Sequence, residues 1–182
     1  ALGYPMTMET FNARFTGVPS AKTWQILRQE IPFALPDDLN ETIHAEMYRR
    51  FETELHAIDG AADAVAAIGG KRAVASSTKL TRLRINLEMT GLAALFDPHI
   101  YSASQVARGK PSPDVFLYAA SQIGVDPAHA IVIEDSVAGV TAGIRAGMRV
   151  IGFHGASNGV VGLEEKLAAA GAVTVIERMA DL

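Results

Sequence analysis

Cysteine is absent from this 182-residue sequence, which excludes disulfides, thiolate nucleophiles and cysteine-ligated metals. Excess positive charge is lacking too. With a net charge of -4 there is no electrostatic case for binding nucleic acid or an anionic membrane. No apolar run approaches the length of a bilayer span, and no signal-peptide pattern is visible, so cytoplasm is the expected compartment. The five histidines, His44, His56, His99, His129 and His154, are scattered without metal-ligand spacing, which argues against zinc. Neither a Walker lysine loop nor a dinucleotide glycine fingerprint occurs, and there is no internal repeat. What remains is an apolar content of 49% with 20% charged residues, the balance of an ordinary globular protein with one good core and room for a small appendage.

The chain has two textures. From Met8 to about His56 only helices are predicted. Trp24, Leu27 and Ile31 share one apolar face; Leu39, Ile43, Met47, Phe51 and Leu55 share another. Ahead of them, Gly3 reads as a helix stop. Residues 15–20 read as a turn with Ser20 a helix cap, and Pro36-Asp37-Asp38 reads as the start of the long third helix. After a hinge at Ile58-Asp59-Gly60 the pattern alternates. Strands are expected over 72–76, 99–102, 130–133, 149–153 and 173–176, separated by helices. Ser112-Pro113-Asp114 reads as a helix start with Pro113 at the first helical position. Alternation of this kind predicts parallel βαβ units: an α/β fold with a doubly wound parallel sheet and a small helical domain. The expected boundaries are 1–57 for the helical domain and 58–182 for the sheet domain. Ligands of such sheets bind beyond the carboxyl ends of the strands.

Three groups of residues fall at those ends. Lys110, between Gly109 and the Pro111/Pro113 pair, offers a compact point charge suited to a phosphoryl oxygen, although an isolated loop lysine is ordinarily just solvated. Glu134 and Asp135 close the apolar run Ile131-Val132-Ile133. Two adjacent carboxylates repel unless a cation stands by, and Mg²⁺ takes one or two of them together with waters and phosphate oxygens. The plainer alternative is that Asp135 caps the next helix, with Ser136 sharing the work. Ser76 ends another strand, and its hydroxyl with the N–H groups of Ser77 and Thr78 would make a phosphate cradle; a plain helix cap is the alternative.

Val74-Ala75-Ser76-Ser77, Gly109-Lys110-Pro111-Ser112-Pro113-Asp114 and Val132-Ile133-Glu134-Asp135-Ser136 resemble the second, third and fourth motifs of the haloacid dehalogenase superfamily. The subgroup with a helical cap inserted after the first strand fits best, and its sugar-phosphate phosphatases and β-phosphoglucomutase-like members are the most similar. The resemblance implies a Mg²⁺-dependent phosphomonoesterase acting on a small phosphorylated metabolite, as a monomer or homodimer. It implies that Ser76 binds the transferring phosphoryl group and that Lys110 neutralises it. Asp135 would ligate Mg²⁺ with Glu134 assisting. Ser77 and the cap-turn residues Thr16, Gly17 and Ser20 would contact the substrate.

One departure from the family pattern stands out. The first motif, Asp-x-Asp-Gly-Thr or a variant, occurs nowhere in this sequence. Its first aspartate forms the aspartyl-phosphate in the family and its second serves as acid and base. The expectation is that the nucleophile lies outside this chain, which has lost its natural N-terminus and is inactive by itself. Phosphoglucomutase-type transfer is the alternative chemistry, disfavoured because Thr16, Pro19 and Ser20 stand where the mutases carry a basic residue. A non-catalytic binding protein is the alternative class.

Overall fold

Apolar side chains spaced for helices in the first third, and short β-branched runs after it, sort the chain into two units. They are residues 1–54 with 158–161, and residues 55–157 with 162–182. The computed structural model describes residues 5–15, 20–156 and 160–182.

The smaller unit holds α1 (Met8–Phe15), α2 (Ser20–Glu30) and α3 (Leu39–Glu54). Phe15, Leu27 and Leu35 are its buried centre, with Phe11, Trp24 and Ile31 packed against them. The face predicted for Trp24, Leu27 and Ile31 is therefore a core face. On α3 the outcome differs: none of its residues is buried, and Ile43 is 42% exposed. Periodicity shows which side of a helix is apolar, not what covers it. The helix also starts later than expected, at Leu39, because Pro36–Asp38 form the preceding turn, closed by Leu39 N–H on the Pro36 carbonyl at 3.3 Å. The helix stop expected at Gly3 and residues 16–19 of the expected turn lie outside the described residues.

The larger unit alternates as predicted: α4 (Ala61–Ala67), β1 (Val74–Ser76), α5 (Leu80–Met89), α6 (Ala93–Phe96), β2 (Ile100–Ser102), α7 (Asp114–Ile123), β3 (Ile131–Glu134), α8 (Val137–Arg145), β4 (Arg149–Phe153), α9 (Leu163–Ala169) and β5 (Thr174–Ile176). The short α6 falls in a stretch for which no element was expected. Pro113 stands one residue before the helix it was expected to begin, capping α7, and Leu117 N–H reaches its carbonyl at 3.0 Å.

Among the described residues all strand pairs are parallel, as the α/β reading requires, but the sheet comes in two pieces. One is β2–β1, in register from Val74 opposite Ile100 to Ser76 opposite Ser102; the other is β3–β4–β5. Val115, Val140, Val150 and Leu167 are fully buried at the centre of the unit, where α7, α8 and α9 lie on the strands. Among the described residues β3 pairs on one side only, and its apolar run is half covered: Val132 is buried while Ile131 is 49% and Ile133 37% exposed. A strand inside a continuous parallel sheet is normally apolar because it is covered on both faces. Among the described residues no helix is long and apolar enough to cross a membrane.

Candidate active site

The open edges of the two sheet pieces border one cleft. Ala75 and Ser76 line it from β1, Ile133 and Glu134 from β3, and Lys110 and Asp135 from the loops that follow β2 and β3. Its volume is about 320 Å³. The four residues singled out for chemistry, Ser76, Lys110, Glu134 and Asp135, thus meet at the carboxyl ends of the strands.

Lys110 is the centre of this arrangement. Its side chain is only 9% exposed. The ammonium donates to the Ala75 carbonyl at 3.1 Å, pairs with the Glu134 carboxylate, and lies 4.6 Å from the centre of the Phe116 ring. Such burial is tolerable for a lysine because the opposite charge and the ring face compensate for lost water. An ammonium has three donors. Two are used here, leaving one for an anion in the cleft.

Glu134 is held from its other side. Ser136 donates to Oε2 through its hydroxyl at 3.0 Å and its N–H at 3.3 Å. The same Ser136 hydroxyl accepts the N–H of Gly139 at 3.0 Å and so caps α8. The capping role considered for Asp135 therefore belongs to Ser136.

Asp135 is left facing the cleft. Its residue is open to solvent, yet the protein around it and then the Glu134 carboxylate beside it push its carboxyl above the ordinary carboxylate range. That is the electrostatic setting a cation relieves. Among the described residues no three histidine or acidic side chains gather as a ready-made cage. A donor set of one free carboxylate with a second nearby suits Mg²⁺, which keeps waters and substrate oxygens as its remaining ligands.

Ser76 accepts the N–H of Thr78 at 3.1 Å, which leaves its own O–H as a donor. The Thr78 carbonyl in turn takes a 2.6 Å hydrogen bond from the hydroxyl of Ser102, which is fully buried at the end of β2. Ser77 is exposed on the same loop. Thr16 and Gly17 lie outside the described residues, and Ser20 is the first residue of α2 in the smaller unit.

Sequence reasoning missed the supporting residues. Phe116 was not singled out, Ser136 entered only as a helix cap, and Ser102 as a strand end. The small-residue pattern over Gly139, Ala142, Gly143 and Ala146 was the available signal for close packing of α8, but not for what Gly139 meets. The expectation that no Gly-x-Ser-x-Gly of the serine hydrolases occurs is corrected, because Gly155-Ala156-Ser157-Asn158-Gly159 matches that string. Its last three residues lie outside the described ones. β4 ends at Phe153 and α9 begins only at Leu163, so the spacing is not that of the sharp strand-to-helix elbow such a nucleophile needs.

Comparison with known proteins agrees with this architecture. The family profile of haloacid dehalogenase-like hydrolases matches residues 9–147. The chain is 30% identical over 152 residues to a 6-phosphogluconate phosphatase of Escherichia coli, covering 83% of this chain and 69% of that protein. It is 32% identical over 182 residues to a phosphorylated carbohydrates phosphatase of Thermotoga maritima, covering 96% of this chain and 81% of the other. Among solved structures, a conserved haloacid dehalogenase-like protein of unknown function from Agrobacterium tumefaciens superposes with a TM-score of 0.90 at 38% identity, over 99% of this chain and 82% of that one. With its parallel α/β fold and its lysine and acidic pair at the strand ends, this chain belongs to the haloacid dehalogenase-like hydrolases.

Proposed function

We propose that this chain forms the greater part of a Mg²⁺-dependent phosphomonoesterase for small phosphorylated sugars or sugar acids. One observation carries the reading: Lys110, anchored to the Ala75 carbonyl and the Glu134 carboxylate, shares its cleft with Ser76 and Asp135. The substrates named for the Escherichia coli and Thermotoga maritima relatives support a phosphorylated carbohydrate.

In this reading the remaining ammonium donor of Lys110 and the hydroxyl of Ser76 hold two oxygens of the phosphoryl group. The N–H of Ser77, on the exposed loop leading towards α5, adds a main-chain donor, while that of Thr78 stays on the Ser76 hydroxyl. Asp135 would hold Mg²⁺, with the charge of Glu134 assisting while its oxygens stay on Lys110 and Ser136. When bound, the metal supplies charge neutralisation of the phosphate. Fixed charges of this kind act where negative charge is rearranged in the transition state.

The nucleophile is an aspartate from outside this sequence. Among the described residues, β1 and β3 each lack a strand partner on the side facing the cleft. A strand set between them would pair both edges and bring a carboxylate beside Lys110, where the phosphoryl group would be transferred to it and then to water. The helical unit, residues 1–57 in this reading, serves as a cap that reads the substrate, with Thr16, Gly17 and Ser20 as its candidate contacts. The cytoplasm is the expected site of action.

The test is release of inorganic phosphate by the natural protein that contains this chain, across a panel of sugar and sugar-acid phosphates. Activity abolished by a chelator and restored by Mg²⁺ is expected, with none from the 182 residues alone. Isomerised sugar phosphate without release would point to a mutase instead. No turnover of any phosphate ester by the natural protein would refute the reading.

A further inference from the structure

The geometry points to Gly139 as a positioning residue for Lys110, acting through the carboxylate of Glu134. Gly139 lies in the first turn of α8, directly against the Glu134 side chain. A Cβ built at Gly139 would overlap Cδ, Oε1 and Oε2 of that one carboxylate, its three nearest neighbours. The backbone gives no reason for glycine here, since Gly139 is inside a helix and is not among the glycines with positive φ. A helix-interior glycine costs roughly 0.5–1 kcal/mol relative to alanine. Space for the carboxylate is what the missing side chain provides.

The carboxylate is held on both oxygens. Oε1 is on the Lys110 ammonium and Oε2 on Ser136, and the residue is only 8% exposed. Lys110 is itself confined between the Ala75 carbonyl and the Phe116 ring. Bulk at position 139 would therefore drive the carboxylate off Ser136 or off the ammonium, and the lysine would lose the partner that aims it. Gly143, one turn further along α8, makes a useful contrast. A Cβ there would meet Val150 Cγ2 at 2.6 Å, a hydrocarbon contact with β4 that involves no charge. The two glycines of one helix thus serve different ends: Gly143 lets helix and sheet approach, and Gly139 seats a charged clamp.

This deepens the phosphatase reading and rests on it for the purpose of the clamp, but the test reads the clamp alone. Lys110 in the natural protein that contains this chain is labelled with a limiting amount of acetic anhydride at fixed pH and followed by mass spectrometry, with the exposed Lys79 as internal reference. Gly139→Ala is expected to raise the Lys110-to-Lys79 labelling ratio by about tenfold, the scale of a lost hydrogen bond to a charged group. Gly143→Ala should lower stability and leave the ratio as in the parent chain. A parental ratio in Gly139→Ala, or an equal rise in Gly143→Ala, would overturn the assignment. If Gly139→Ala does not fold, Ser136→Ala carries the test, because it removes the hydroxyl from Oε2 without adding bulk. A rise in labelling that Ser136→Thr reverses supports the clamp; an unchanged ratio in Ser136→Ala overturns it. Neither outcome depends on turnover, so the clamp and the phosphatase reading stand or fall separately.

Discussion

The ammonium of Lys110 donates to the main-chain carbonyl of Ala75 at 3.1 Å, joining the loop after β2 to the open edge of β1. With its other contact on Glu134 of β3, this one side chain spans the interval between the two pieces of the sheet. It is therefore structural and, in the proposed reaction, electrostatic. The two roles are separable by experiment.

Lys110→Met in this chain should cost about 3–5 kcal/mol in urea unfolding, because it leaves the buried Glu134 carboxylate without its counter-charge. Adding Glu134→Gln should recover part of that loss, so the two substitutions will be strongly non-additive in a double-mutant cycle. Simple additivity would mean that the pair contributes nothing as a pair.

In the natural protein, Lys110→Ala should lower turnover by roughly a hundredfold or more, the scale of losing one fixed electrostatic partner. Lys110→Arg should not restore it, since a planar guanidinium does not fit the space of a compact ammonium between a carbonyl and a ring. Steady-state phosphate release measures both.

Asp135→Asn should lower phosphate release by a similar factor, roughly a hundredfold, and weaken the Mg²⁺ dependence. In the metal-free chain the same change should raise the unfolding midpoint. It removes a carboxylate whose charged form is disfavoured by the protein around it and by Glu134. A variant less stable than its parent would show that Asp135 has a favourable partner even without metal.

Ser102→Ala removes a fully buried hydroxyl that donates to the Thr78 carbonyl at 2.6 Å. The expected cost is about 1 kcal/mol, that of a typical hydrogen bond whose acceptor, on the exposed Thr78, can turn to water. The loop carrying Ser76 should loosen with it, which faster amide exchange at Thr78 would report.

Asp114 gives the acid side of the stability profile. Its carboxyl is held below the ordinary value by the Ser112 hydroxyl first and by the Arg108 guanidinium second. A depressed folded-state pKa stabilises the fold above the unfolded value and loses that effect as pH falls through the folded one. Asp114→Asn should therefore be less stable than its parent at neutral pH, with the difference closing under acid. Parallel curves across that range would count against the assignment.

Legible from the residues alone were most of the elements, α6 excepted, and the kind of chemistry. A short apolar run such as Val150-Ile151-Gly152-Phe153 cannot be mistaken for an amphipathic helix. An acidic doublet at the end of an apolar strand announces itself through the cost of burying charge there, and Lys110 stands out by its Gly109 and Pro111/Pro113 flanks. These signals are local, so they can be read along the chain. Partnership was settled only by folding. That Glu134 would turn towards Lys110 and Ser136, leaving Asp135 to face the cleft, depends on residues 24 positions apart meeting across two sheet pieces. That Gly139 would be spared a side chain for a carboxylate, and Gly143 for a valine, depends on what each faces once α8 has docked. The half-covered face of α3 and the split sheet are of the same kind, since coverage and strand pairing are relations between distant segments and periodicity carries no record of them.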